Sequence, residues 1–429
     1  MKKQLFYFAL LLCVSCSQKQ HQSGKSLNAI AEDYVRLGLS IGDYDTDFVD
    51  AYYGPDSLKP TGVKNARFPK DSFLLAVRTM ENELQTFSGK DSSAERITWM
   101  QAQLKAFERR IKIFSGEFGN FDEESRDFFA AVAPKYTEQH FKDLLVKLDS
   151  LLPGTGNISD RFQQLARKFI IPKNKIDTVF KTAIAEARKR SLPHYHIPEN
   201  ENFSMEYVTG KPWSGYNWYK GNYQSLIQIN TDLDIYIDRA IDLACHEGYP
   251  GHHVYNALLE KNLYRDKGHI EVSLYPLFSP QSLIAEGSAN FGIDLAFPGN
   301  ESIEFTKNVL LPIAGLDTSG IARYFAALKA KAALNYARNE VGRGTVDGTM
   351  NEAEALRWLK EYCLFSEAGA VKSMSFIKKY RSYIINYNYG MDLVKNYVDI
   401  KAGGAKNNDQ RWEKFGVLLS NQLTAENLQ

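Results

Sequence analysis

The chain's 429 residues carry 52 Lys and Arg against 51 Asp and Glu, a formal net charge of +1. So near a balance gives no basic field to hold nucleic acid and no acidic tail to recruit a cationic partner. With 44% of residues hydrophobic and 24% charged, the chain is suited to one large domain or two packed lobes, not to a disordered segment.

The first residues read as an export signal. Lys2 and Lys3 form a short positive region, Phe6 to Leu12 a brief apolar stretch, and Ser15 a small residue before Cys16. The apolar run is too short for a permanent membrane-spanning helix. Its ending, CVSC, resembles a bacterial lipoprotein signal, in which cleavage leaves a lipidated cysteine, here Cys16. Cys13 stands where leucine is commonest, and an ordinary secretory signal is the alternative. Residues 1–16 are thus expected to be a signal peptide and 17–26, SQKQHQSGKS, a flexible tether. The protein would sit outside the cytoplasm, lipid-anchored to a bacterial membrane, in the periplasm or at the cell surface. Beyond Cys16 only Cys245 and Cys363 remain, too few for a disulfide framework and read as free, buried thiols.

From Leu27 to about Pro172 the pattern is mainly helical. RITWMQAQLKAFERRIKIFSGE spaces Ile97, Met100, Leu104, Phe107 and Ile111 three or four residues apart. FDEESRDFFAAVAP has an acidic first turn and a proline stop. LLPGTGNISDRF predicts a turn at Gly154 with Ser159 or Asp160 as the following cap, and a further helix runs from about Lys175 to Ser191. Between Leu192 and Asp232 come Pro, Gly, Trp and Tyr residues and one β-like run, SLIQINT, from Ser225 to Thr231. It is a core strand or an edge strand that could pair with an extended peptide. Helix returns from Ile235 and dominates to the end. We divide the chain into an N-terminal helical portion, 27–200, and a C-terminal portion, 201–429, meeting near 192 to 205.

The C-terminal portion holds the most unusual stretch, DLACHEGYPGHHVYN. Zinc proteases commonly use H-E-x-x-H, two imidazoles one turn apart with Glu as general base. Here the position four after His246 is Pro250. On a straight helix His252 would lie roughly 240° around the axis from His246, and His253 on nearly the same face but about 10 Å further along. Neither spans a single metal ion with bonds of about 2 Å. A helix broken at Pro250 and Gly251 could swing His252 back toward His246. A helix end with two histidines in the next turn is the plainer reading. Further on, LIAEGSANFGIDLAF sets Glu286 in an apolar helical context, where a buried carboxylate is costly unless paired or metal-bound.

HEGYPGHH followed by AEGSANFG resembles the bacterial domain of unknown function 885 family, whose pattern is His-Glu-x-x-Pro-Gly-His and then Glu-Gly-Trp-Ala. The likeness extends to YVRLGLSIGDYDTDFVDAYYGP, FDEESRDFFAAVAP, VDGTMNEAEALRWL and INYNYG, most of residues 30 to 400. The family is grouped with gluzincin-type metallopeptidases. The resemblance implies a mostly α fold with a small β-sheet beside the active-site helix. By motif position it makes His246, His252 and Glu286 the ligands of Zn2+ and Glu247 the general base, and it favours His252 over His253. Ser288 replaces the motif tryptophan, Tyr255 stands where Gln is frequent, and Ile293 where a second Glu is common.

The expected activity is that of a zinc-dependent hydrolase, a metallopeptidase taking a peptide substrate. The alternatives are a surface lipoprotein that binds peptides without turnover, or a metallo-amidase or esterase. Tyr387 in INYNYG, which resembles a family tyrosine, is the candidate donor to the oxyanion, ahead of Tyr389 and Arg381. Asp242, four residues before His246, could orient that ring or be a solvated charge. His194 and His196 in LPHYHIPE could form a separate metal site, although flanking prolines favour a plain loop.

Overall fold

A computed structural model describes residues 25–87 and 93–429. The expected signal peptide, Cys16 and most of the tether lie outside the described residues. Among the described residues seven α-helices precede residue 200, including Leu27–Gly42, Ala94–Phe114, Phe121–Phe129 and Ile176–Ser191. Local chemistry sets their starts. Ser26 accepts from the Ala29 N–H, and Asn120 and Glu123 form a reciprocal capping box. The helix after the Gly154 turn corrects the expected cap. It spans Ile158–Arg167 and is capped by Asn157, whose side chain accepts from the Asp160 N–H. Ser159 and Asp160 therefore lie inside it.

Among the described residues five strands interrupt the helices: β1 (Val49–Tyr52), β2 (Asn202–Val208), β3 (Gly215–Gly221), β4 (Gln224–Asn230) and β5 (Leu274–Pro276). β1 pairs antiparallel with β5; the other three form a sheet of order β2-β4-β3. SLIQINT thus falls on the central strand, paired parallel to β2 and antiparallel to β3. Both its hydrogen-bonding edges are used, so its expected alternative as a peptide-pairing edge is wrong. β2 does alternate, with Phe203, Met205 and Tyr207 between Asn202, Ser204 and Glu206, but the run is short and none of its residues is fully buried, while glycines end β3 on both sides; neither is legible as a strand from the sequence. One face of β4 buries Ser225, Ile227 and Ile229.

Two C-terminal helices position the site. Pro280–Ala296 is buried nearly all round, including the polar Gln281, Ser282, Glu286 and Ser288 among its apolar and small residues. It packs against Ile385–Lys401 at a close crossing: a Cβ on Gly287 would stand 2.4 Å from the Gly390 carbonyl oxygen. Paired arginines tie the early helices to later segments. Arg96 donates to both carboxylate oxygens of Glu271 at 2.7 and 2.8 Å, and Arg381 to both of Glu124 at 2.7 Å. The hydrophobic core is continuous from Ile30 to Leu428. No helix among the described residues is long and apolar enough to cross a membrane.

Candidate metal centre

The helix Asp238–Leu243 does not continue regularly into the His-Glu stretch. It widens into a π-helical turn, Ala244–Gly248, and then breaks. Such turns recur at functional sites because they re-aim side chains within a helix. The Tyr249 N–H donates to the Ala244 carbonyl at 3.0 Å and the Gly251 N–H to that of Cys245 at 2.9 Å; the Tyr249–Pro250 peptide is cis. A new helix, His252–Leu259, starts at once. The chain doubles back so tightly that a Cβ on Gly251 would lie 1.9 Å from the His246 carbonyl oxygen and 2.3 Å from that of Cys245. Those are backbone atoms of the turn that carries His246, so nothing there yields without moving that imidazole. Gly251→Ala is expected to cost about 3 kcal/mol or more and to lower zinc occupancy with it. Urea midpoints and bound zinc measured on both proteins check this; unchanged values for both would contradict it.

The fold-back brings the two imidazoles together. His246 Nε2 and His252 Nε2 are 3.2 Å apart, and Glu286 Oε2 lies 3.1 Å from the first and 3.6 Å from the second. Four ligands at about 2.0–2.1 Å around zinc would be separated by about 3.3 Å, so the three spacings match one tetrahedral face. The tautomer also fits. Asn290 donates through Nδ2 to the Tyr387 carbonyl at 2.7 Å, so its Oδ1 faces His246 Nδ1, 2.9 Å away. The His246 proton therefore sits on Nδ1, leaving the Nε2 lone pair toward the site. Glu286 Oε2 is buried without a hydrogen-bond donor, while its Oε1 accepts from Tyr383 at 2.8 Å. Burial opposes the Glu286 charge, yet the facing imidazoles, when they carry protons in place of a cation, hold its pKa well below the ordinary carboxylate range. An ionised carboxylate and two imidazole lone pairs converging on one point fit a divalent cation.

Glu247 is buried, and its Oε1 would lie 2.9 Å from a Cβ placed on Gly215 of β3, which puts the carboxylate against the sheet. Asn217 of β3 donates to its backbone carbonyl at 2.7 Å. Burial pushes its pKa up, opposed by His246 and His252. Tyr387 faces Glu286 as well, but only Tyr383 makes a normal hydrogen bond to that carboxylate among the described residues. Arg381 is committed to Glu124, and Tyr389 does not line the cavity around the centre. Asp242 pairs with Arg239, so the residue that orients His246 is Asn290. His194 stacks flat on Trp412 at 4.3 Å, and His194 and His196 join no potential metal group among the described residues. Cys245 and Cys363 are free and buried.

His253 faces away from the centre into a polar network. It is fully buried, with Nε2 2.9 Å from Glu201 and Nδ1 2.8 Å from the Ser225 hydroxyl. Tyr249 and Arg188 also donate to Glu201, at 2.7 and 3.1 Å. Burial works against the Glu201 charge, but these hydrogen bonds bring its pKa down to about 2. The network fixes both sides of the break, Tyr249 before it and His253 after it, to the sheet. Sequence reading missed Glu201 because nothing in LPHYHIPENE marks a carboxylate whose partners lie about fifty residues on. It equally missed Asp50 on β1, which accepts from Tyr216 and whose pKa burial raises to about 6.

These residues line a cavity of about 790 Å³, within the range of small-ligand sites. Gly215, Tyr216 and Asn217 of β3 form one wall, and β3 is an edge strand.

No family model matches the chain, and no curated protein matches it in sequence. Among solved structures it is similar to a candidate lipoprotein from Colwellia psychrerythraea, at 13% identity and a TM-score of 0.52, covering 83% of this chain and 66% of that one. The chain therefore spans about two thirds of that protein's length, and the likeness is one of fold. Weaker likenesses are to metallocarboxypeptidase 1 of Trypanosoma cruzi (TM-score 0.47, 12% identity, 94% of this chain and 93% of that one) and to a carboxypeptidase from Deinococcus radiodurans (TM-score 0.43, 9% identity, 89% and 88%).

Proposed function

We propose that the protein is a zinc-dependent hydrolase cleaving peptide bonds, a member of the domain of unknown function 885 family, held outside the cytoplasm by a lipid on Cys16. The observation that carries this reading is the convergence of His246 Nε2, His252 Nε2 and Glu286 Oε2 beside a buried glutamate. All three ligand atoms lie within 4.8 Å of one another. Two imidazoles and a carboxylate are a donor set of catalytic zinc, which leaves a position open for water. The CVSC signal and a fold neighbour described as a candidate lipoprotein support the anchor.

Zinc in this site would lower the pKa of water toward neutrality and polarise the scissile carbonyl. The protein's own side chains do the rest. Asn290 and Tyr383 hold His246 and Glu286 in ligating orientation. Glu247 takes the proton of the attacking water and returns it to the leaving amine nitrogen. Tyr387, with its hydroxyl near the same carboxylate, donates to the oxygen that gains charge. The outer edge of β3, paired with no further strand among the described residues, aligns an extended substrate beside Gly215 and Glu247.

The test is a mixed peptide library incubated with zinc-loaded protein and read by mass spectrometry, with ester and non-peptide amide substrates in parallel. Cleaved peptides that persist intact after chelation are the expected result. Hydrolysis of esters alone would replace the peptidase reading.

A further inference from the structure

The cavity is not uniformly charged. Asp50, Glu247 and Glu286 line it at the metal site, and Asp234, Asp238, Asp242, Asp294, Arg239 and Lys372 line it as well. At another part of its wall it adjoins a recess of about 260 Å³ lined by Lys331, Arg338, Asn335, Leu328, Cys363 and Phe365, with no acidic residue among them. Neither cation forms an ion pair with a carboxylate among the described residues. The Arg338 Nε donates only to the Ser373 hydroxyl at 3.2 Å, and its guanidinium lies 5.8 Å from the centres of the Phe365 and Phe376 rings. Lys331 rests over Phe162 and Phe365 at 4.8 and 5.5 Å, with Asp238 near enough to act on its charge. Asp238 itself accepts from Tyr324.

Two neighbouring cations held among aromatic rings repel each other, and burial works against both charges. The facing rings offset part of this cost, and an anion bound between the two cations would offset more. The route from recess to metal site is short: Phe376 lies 6.1 Å from the Tyr387 ring, and Tyr387 faces Glu286. Two aromatic rings thus separate Arg338 from the ligand carboxylate, a path that about four residues of extended peptide cover at about 3.3–3.6 Å each.

We propose that Arg338 and Lys331 form a carboxylate-recognition subsite, so that the substrate is a peptide cleaved within a few residues of a carboxylate group. Arg338 supplies a planar fork for two parallel hydrogen bonds and Lys331 a second positive charge. The carboxylate is a free C-terminus or an acidic side chain; the chemistry is the same and the experiment separates them. This inference rests on the peptidase reading for its substrate, not for its binding chemistry.

Binding is measured by calorimetry on zinc-loaded Glu247→Gln protein, using N-acetylated tripeptides in matched pairs: free acid against C-terminal amide, and Glu against Gln side chain. We expect one pair to differ by on the order of tenfold or more in favour of the carboxylate. That preference should fall to about one in the Arg338→Gln background and to an intermediate value with Arg338→Lys or Lys331→Met, which guard against misfolding of any one variant. A preference in the first pair identifies the C-terminus, in the second the side chain. Equal binding of both members of each pair, or a preference that survives all three substitutions, overturns the subsite. Carboxylate-dependent binding in a protein that cleaves no peptide sinks the hydrolase reading alone. Peptide cleavage indifferent to carboxylates sinks the subsite alone.

Discussion

Glu286→Gln is expected to empty the metal centre while leaving the fold standing. The substitution keeps the shape of the side chain and an acceptor for the Tyr383 hydroxyl, so little packing is lost. It also removes a carboxylate buried at 6% exposure, whose charge is costly there without a cation. The metal-free variant should therefore unfold at the same urea concentration as metal-free native protein, or at a higher one. Zinc binding behaves in the opposite way. Four-ligand zinc sites bind with roughly 10–16 kcal/mol, so one charged ligand of three carries on the order of 3–4 kcal/mol, or ~10²–10³-fold in affinity. After dialysis against a weak chelator, native protein should retain about one zinc per chain and the variant less than about a tenth. Added zinc should raise the unfolding temperature of the native protein and not of the variant. Full zinc retention by the variant would remove Glu286 as a ligand.

Glu247→Gln should do the reverse, keeping the metal and losing turnover. Glu247 is adjacent to His246 in sequence, yet it is no member of the ligand set, and its carboxylate faces Gly215. An amide of the same size cannot accept the proton that the base must carry, and general-base catalysis contributes ~10²–10⁴-fold. We expect kcat on a cleavable peptide to drop within that range, with zinc content and peptide affinity little changed. Equal cleavage by both proteins would remove Glu247 as the base. Zinc binding without cleavage by the native protein would favour a surface lipoprotein that binds peptides and does not turn them over.

The sequence carried the site's residues more clearly than its geometry. Pro250 and Gly251 announced that the helix breaks between His246 and His252, because each is poorly tolerated inside a helix. Nothing in the order of residues showed how the break is made. The π-helical turn and the contact of Gly251 with the Cys245 and His246 carbonyls are three-dimensional facts. Glu286 was legible as a carboxylate in apolar surroundings. Asn290, four residues on and therefore on the same helix face, was equally visible, but a neutral amide signals no chemistry until its partner is known. Helices were legible wherever one face was apolar, as from Ile97 to Ile111. β2 and β3 were not: β2 alternates from Asn202 to Tyr207 but over a short, partly exposed run, β3 does not alternate cleanly, and the pairing of both with β4 is made in three dimensions. The same limit hid the Glu201–His253 pair, the Tyr383 bond to Glu286 and the cationic recess, each of which joins residues from separate segments.

The proposed catalysis requires one ion shared by three side chains. Anomalous diffraction recorded on either side of the zinc absorption edge, on crystals grown without added metal, tests that requirement most directly. We predict a single strong peak between His246 Nε2, His252 Nε2 and Glu286, present above the edge and absent below it. Crystals soaked in zinc that show no peak there, with the two imidazoles turned apart, would contradict it.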